Sequence, residues 1–176
     1  MKFKRPVLAV LAAILLACVA GAQESSPQQA RTFVNFVSAS DAVVSPGHSA
    51  SVQFTFHVVE PYHVNSSQPL APELIPTQLH FSLPGEIAVG KMQYPAGKLM
   101  SFPFDPGTKL SVYSGDFVVR GLLMAPATAS KGTYTVHGEL KYQACDNNSC
   151  YPPKKLDFSF NVKVGTRSAS RKSGHS

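Results

Sequence analysis

The strongest constraint on the fold is a period of two. Val52, Phe54, Phe56 and Val58 alternate with Ser51, Gln53, Thr55 and His57, as a strand with one buried face requires. The pattern returns near the C-terminus. Tyr134, Val136, Leu140, Tyr142 and Ala144 share one face opposite Thr133, Thr135, His137, Glu139, Lys141 and Gln143, and then Leu156, Phe158, Phe160, Val162 and Val164 alternate with Asp157, Ser159, Asn161 and Lys163. Between those two runs lies Cys145-Asp-Asn-Asn-Ser-Cys-Tyr-Pro-Pro153, rich in residues that tolerate turn geometry. The arrangement predicts a hairpin with both cysteines at its connection, at a tip rather than in a core.

Weaker strand patterns fall at residues 31–37, 77–83, 87–92, 109–113 and 116–124, separated by turns bearing Pro and Gly. No segment carries a helical period. Short strands without helices to make parallel crossovers predict an all-β protein, an immunoglobulin-like antiparallel β-sandwich. The Trp and inter-sheet disulfide of antibody domains are missing, since the chain has no Trp. Residues 62–76 and 94–107 read as long, proline-punctuated loops with large side chains such as Met100, Phe102 and Phe104, and such loops on a rigid sandwich are where function concentrates.

Length and composition allow one modest domain: 176 residues, 44% hydrophobic and 15% charged, too apolar for wholesale disorder. The one long apolar run is N-terminal, where basic Lys2, Lys4 and Arg5 precede a stretch from Val7 to Ala17 that is short for a membrane span. Residues 1–22 are therefore expected to be an export signal, cleaved after Ala20-Gly21-Ala22. The alternative is a lipoprotein anchored through Cys18, and membrane association is expected only in that case. Residues 23–30 read as a polar linker, residues 31–164 as the sandwich, and residues 165–176 as a disordered basic tail.

The formal charge of +6 resides in the two ends. Lys2, Lys4 and Arg5 leave with the signal, and Arg167, Arg171 and Lys172 lie in the tail, so the folded body is close to neutral. It has no footprint for a phosphate backbone, and nucleic acid is not an expected partner.

Removal or lipidation of Cys18 leaves Cys145 and Cys150 as one pair in an exported protein, a context that favours a disulfide. Closing so short a loop stabilises a domain by roughly 2 kcal/mol, a weak reason for having the bond. Three roles stay open: a structural staple, thiol–disulfide exchange through an accessible hairpin tip, and metal binding, for which His63 and His137 are the plausible additional ligands. His48, His57 and His80 read as surface residues. No Gly-x-Ser-x-Gly elbow, phosphate-binding glycine loop or His-Glu-x-x-His is present.

The stretch Tyr142-Gln-Ala-Cys-Asp-Asn-Asn-Ser-Cys-Tyr-Pro-Pro153 resembles the N-terminal domain of the thiol:disulfide interchange protein DsbD, which is marked by Tyr-Gln-x-Cys closing on Cys-Tyr-Pro-Pro. Tyr62-His63-Val64, Leu83-Pro84-Gly85 and Tyr94-Pro95 extend the likeness over roughly residues 31–164. The resemblance implies an immunoglobulin-like domain whose cysteine pair, here Cys145 and Cys150, takes electrons from a membrane-embedded donor and passes them to thioredoxin-fold proteins in the periplasm. It further implies a cap loop over the disulfide, with Tyr94, Met100 and Phe102 as shielding residues, and Tyr62, Tyr142 and Tyr151 beside the site. By the same analogy Cys150 is the cysteine that attacks or is attacked. No cofactor and no metal is implied.

Two departures qualify this. Four residues separate the cysteines where well-known members have five, so the redox poise does not carry over. The chain also carries no transmembrane helices or thioredoxin-like domain, so the electron donor is expected to be a separate protein. The leading expectation is a periplasmic thiol:disulfide interchange module, an electron-relay oxidoreductase. The alternative is a non-enzymatic immunoglobulin-like scaffold or binding domain with a structural hairpin disulfide.

Overall fold

A computed structural model describes residues 31–166. The signal segment 1–22, Cys18, the linker 23–30 and the tail from residue 167 onward lie outside the described residues.

Twelve strands follow in chain order: β1 (Val34–Ala39), β2 (Ala42–Val44), β3 (Ser49–Val58), β4 (His63–Asn65), β5 (Gln78–Ser82), β6 (Ala88–Val89), β7 (Lys98–Phe102), β8 (Asp105–Tyr113), β9 (Gly115–Met124), β10 (Gly132–Tyr142), β11 (Ala144–Cys145) and β12 (Lys154–Val164). They form three four-stranded sheets, ordered β1-β3-β9-β6, β2-β12-β10-β5 and β11-β4-β8-β7. The first two are the faces of the immunoglobulin-like sandwich that the alternating pattern predicts. One pair departs from antiparallel order, because β2 runs parallel to β12.

The alternation becomes burial as the sequence requires. Val52, Phe54, Phe56 and Val58 of β3 are fully enclosed, and Val136 and Leu140 of β10 meet Phe158, Phe160 and Val162 of β12 in the same core. Aromatic rings join the two faces: Phe54 meets Phe160 edge-on at 4.9 Å and Phe36 stacks on Phe158 at 4.5 Å. Each ring removes a large apolar area from water, and paired rings add about 0.5–1.5 kcal/mol beyond that burial. Gly138 sits opposite Phe158 in the ladder. The Phe158 ring occupies the space that a Cβ at position 138 would need. The β8–β9 connection turns at Gly115, whose φ of 60° is a left-handed value that glycine adopts without steric cost.

Three sequence expectations are corrected, two of them by the third sheet. Residues 94–107 are not simply a loop: β7 and β8 make a hairpin closed by the two residues Pro103 and Phe104, with Phe102 paired to Asp105. Residues 62–76 contribute β4, a strand too short for its alternation to show against a polar background. The pattern at residues 87–92 yields only the two-residue β6, which pairs with the end of β9.

Candidate functional site

The β10–β12 ladder ends at the pair Tyr142–Lys154, and the residues between them leave the sandwich. Ala144 and Cys145 pair with Val64 and His63 of β4. The chain then turns and brings Cys150 back opposite Cys145 as an isolated antiparallel bridge. A disulfide joins the two cysteines, with a Cα–Cα distance of 3.9 Å.

The turn is held by more than the disulfide. The Asp146 amide donates to the Ser149 carbonyl (2.9 Å) and the Tyr151 amide to the Ala144 carbonyl (2.8 Å). The Asp146 carboxylate accepts from the amides of Asn148 (2.7 Å) and Ser149 (3.0 Å) and from the Tyr151 hydroxyl (2.6 Å). These bonds, with the Tyr151 hydroxyl foremost, hold the Asp146 carboxyl below its ordinary range and raise the Tyr151 phenol in return. Sequence shows why: an Asp side chain readily accepts from backbone amides two and three residues further along, here those of Asn148 and Ser149.

The two cysteines are unequal. Cys145 is 0% exposed, whereas Cys150 is open to solvent. The expectation that both sit at an accessible tip is corrected for Cys145, because β4 takes that residue into a sheet. Directly opposite partners in an antiparallel pair point to the same face, so His63, Cys145 and Cys150 form a row on one side of the third sheet. Val64 and Ala144 point the other way, into the main core.

Phe102 packs against one member of this row, His63. It is 4% exposed and stacks on the His63 imidazole with centroids 3.8 Å apart and planes 14° apart. Along the ladder the two are distant. Val64 pairs with Tyr113 at one end of β8, and Phe102 pairs with Asp105 at the other, which a straight hairpin would hold roughly 25 Å apart. The hairpin therefore folds back over its own sheet, and Phe102, Leu110, Val112 and Leu74 form a small second core beneath it. Met100, opposite Leu110, is on the same face but 38% exposed.

Tyr94 is placed elsewhere. Its hydroxyl accepts from the Leu79 amide (2.7 Å) at the sandwich, and burial raises its phenol pKa. Tyr62 and Tyr151, the latter next to Cys150 in the chain, both pack with Phe33, at 4.7 and 4.8 Å. Arg31 donates to the Tyr151 hydroxyl (3.1 Å), and Lys154 lies over the Phe33 ring at 4.8 Å. Tyr142 is buried at the end of β10, and burial raises its phenol too.

Three residues do more than the sequence indicates. Gln143 ties the cysteine strand to its neighbours: its side-chain carbonyl accepts from Asn65 (3.0 Å) and from the Ile75 amide (3.2 Å), and its amide donates to the Tyr151 carbonyl (3.3 Å). Asn65 further donates to the Ile75 carbonyl (3.1 Å). His63 is 3% exposed, and its Nε2 is buried with no hydrogen-bond partner. Burial depresses its pKa to about 4 against the opposing pull of Asp146, so it is neutral near pH 7. In the sequence, Gln143 and His63 stand inside motif segments and His63 is also a candidate ligand, whereas Asn65 carries no signal of its own. His137, by contrast, lies 2.8 Å from the Ser159 hydroxyl on the exposed face of β10 and β12. Among the described residues no three His, Cys, Asp or Glu side chains gather as a metal site would need.

The family model for the N-terminal domain of thiol:disulfide interchange protein DsbD matches residues 32–161. Among solved structures, the chain is similar to the reduced N-terminal domain of DsbD from Neisseria meningitidis, at 20% identity, covering 73% of this chain and 86% of that one with a TM-score of 0.42. It is also similar to the N-terminal periplasmic domain of ScsB from Proteus mirabilis, at 13% identity, covering 76% of this chain and 52% of that one with a TM-score of 0.48. A search of the curated proteins finds no match.

Proposed function

The chain belongs to the family of N-terminal domains of the thiol:disulfide interchange protein DsbD, and on that premise we propose that it is a periplasmic module that passes reducing equivalents to thioredoxin-fold proteins. The Cys145–Cys150 pair alternates between dithiol and disulfide, and a separate membrane protein supplies the electrons. An N-terminal export signal delivers the chain.

The observation that carries this reading is the asymmetry of the pair. Cys150 faces solvent while Cys145 is fully buried beside His63, which is itself stacked on Phe102. A donor thiolate can reach Cys150 and form a mixed disulfide as Cys145 leaves as thiolate, and the donor's second thiol then releases the reduced pair. Towards an acceptor, the Cys150 thiolate attacks the acceptor's disulfide and the sheltered Cys145 resolves the mixed bond, re-forming Cys145–Cys150 and freeing the acceptor's dithiol. The scaffold reading has less in its favour, since the turn is already fastened by the Asp146 and Tyr151 hydrogen bonds.

Redox titration of the domain against glutathione, read by alkylation and mass, tests the proposal. A midpoint above about −250 mV supports exchange, and one below about −300 mV marks a structural bond and overturns it.

A further inference from the structure

His63 carries a buried hydrogen-bonding atom that the oxidised protein leaves without a partner. A group in that condition is costly, and buried polar atoms in native proteins are nearly always satisfied. Its position shows where a partner could arise. His63 is the direct cross-strand neighbour of Cys145, with their Cβ atoms on one face about 5 Å apart, and the Phe102 ring closes the other side of the imidazole. A disulfide sulfur is a poor hydrogen-bonding group, whereas a thiol both donates and accepts and a thiolate accepts strongly.

We propose that His63 Nε2 is the hydrogen-bond partner of the reduced Cys145 sulfur, and so stabilises the dithiol form of the pair relative to the disulfide. The proposal deepens the exchange reading given above and rests on it. In the exchange a donor dithiol gives up two electrons and two protons. Its own S–S bond forms as the Cys145–Cys150 bond breaks, and Cys145 Sγ takes one of the protons inside the covered site. A neutral imidazole serves either outcome there: protonated at Nε2 it donates to a thiolate, and in the other tautomer its lone pair accepts from the thiol. In both cases the missing contact is made only on reduction. His63 is thus a positioning residue for the reacting sulfur.

The test is a titration of the wild type, His63→Phe and His63→Gln against dithiothreitol redox buffers, which reach potentials low enough to reduce even a structural bond. Phenylalanine keeps the stack on Phe102 and removes Nε2. His63→Phe is expected to make the disulfide about tenfold harder to reduce, a shift of about 30 mV for a two-electron couple. Glutamine, which restores a donor and an acceptor, is expected to recover part of that shift. A His63→Phe midpoint within twofold of wild type, or displaced the other way, overturns the proposal. Failure of the exchange reading shows separately, as a wild-type midpoint outside the glutathione range. If His63→Phe does not fold, the wild type answers alone: the His63 Nε2 nitrogen resonance moves to a hydrogen-bonded value on reduction, and an unchanged resonance overturns the assignment.

Discussion

Phe102 lies flat on His63 at 3.8 Å, although the two residues sit at opposite ends of the sheet ladder. The contact exists because the β7–β8 hairpin, which joins β4 through β8, folds back over its own sheet.

If Phe102 is the cover, Phe102→Ala exposes the buried side of the disulfide. Reduction by a small thiol should then accelerate about tenfold, while Met100→Ala, at a residue already 38% exposed, should change the rate less than twofold. Loss of the Phe102 contacts should also cost about 3 kcal/mol of stability. Stopped alkylation time courses and urea melts measure the two effects.

The unequal burial of the cysteines sets which one a partner meets. Cys145→Ser leaves Cys150 free at the surface and should trap a mixed disulfide with a thioredoxin-fold protein or with glutathione. Cys150→Ser should give little adduct until the hairpin is opened. Mass spectrometry of the two variants distinguishes them, and equal trapping would contradict the assignment.

His63 links stability to pH. Its folded pKa of about 4 lies below the ordinary 6.5, so the unfolded chain binds more protons between those values and stability must fall as pH drops through that window. The full loss is at most about 3 kcal/mol, and below pH 4 this contribution falls no further. Denaturant melts at pH 7.5 and 4.5 should show the difference shrinking in His63→Phe.

Asp146 acts at lower pH. Its folded pKa is depressed, chiefly by the Tyr151 hydroxyl and then by the Asn148 and Ser149 amides. Its support is thus present above the ordinary carboxylate range and is lost as pH falls through the lower folded value. Phosphine reduction of the disulfide should quicken below about pH 4, and Asp146→Ala should be fast at all pH values.

Gly138→Ala tests the sandwich itself. The new methyl meets the Phe158 ring, which is buried against Phe36, Phe54 and Phe56 and has little room to yield. A destabilisation of about 1–3 kcal/mol is expected, with the redox midpoint unchanged.

Much of this was legible in the chain. Alternation over ten or so residues located β3, β10 and β12, because a strand with one face in a core must repeat every second residue. The cysteine motif located the site. What stayed hidden were β2, β4, β11, β7 and the first part of β8, of which only residues 109–113 read as a strand; these strands are short or lie in a small satellite sheet whose outer face is partly solvated. There polar and apolar residues are both tolerated, and the pattern carries little information. His63 shows the same limit: its sequence neighbours say nothing about an orphaned ring nitrogen, which depends on a strand, a turn and a hairpin from three separate segments.

The sequence by itself therefore determined the sandwich, since burial of alternate side chains is a local property of each long strand, and it determined the cysteine pair, since spacing and turn chemistry are local too. Only the tertiary structure decided that Cys145 is buried and Cys150 open, that Phe102 stacks on His63, and that His63 is the cross-strand neighbour of Cys145. Those relations are set by which distant strands pair and by how a hairpin bends back over its sheet, and no local pattern encodes either.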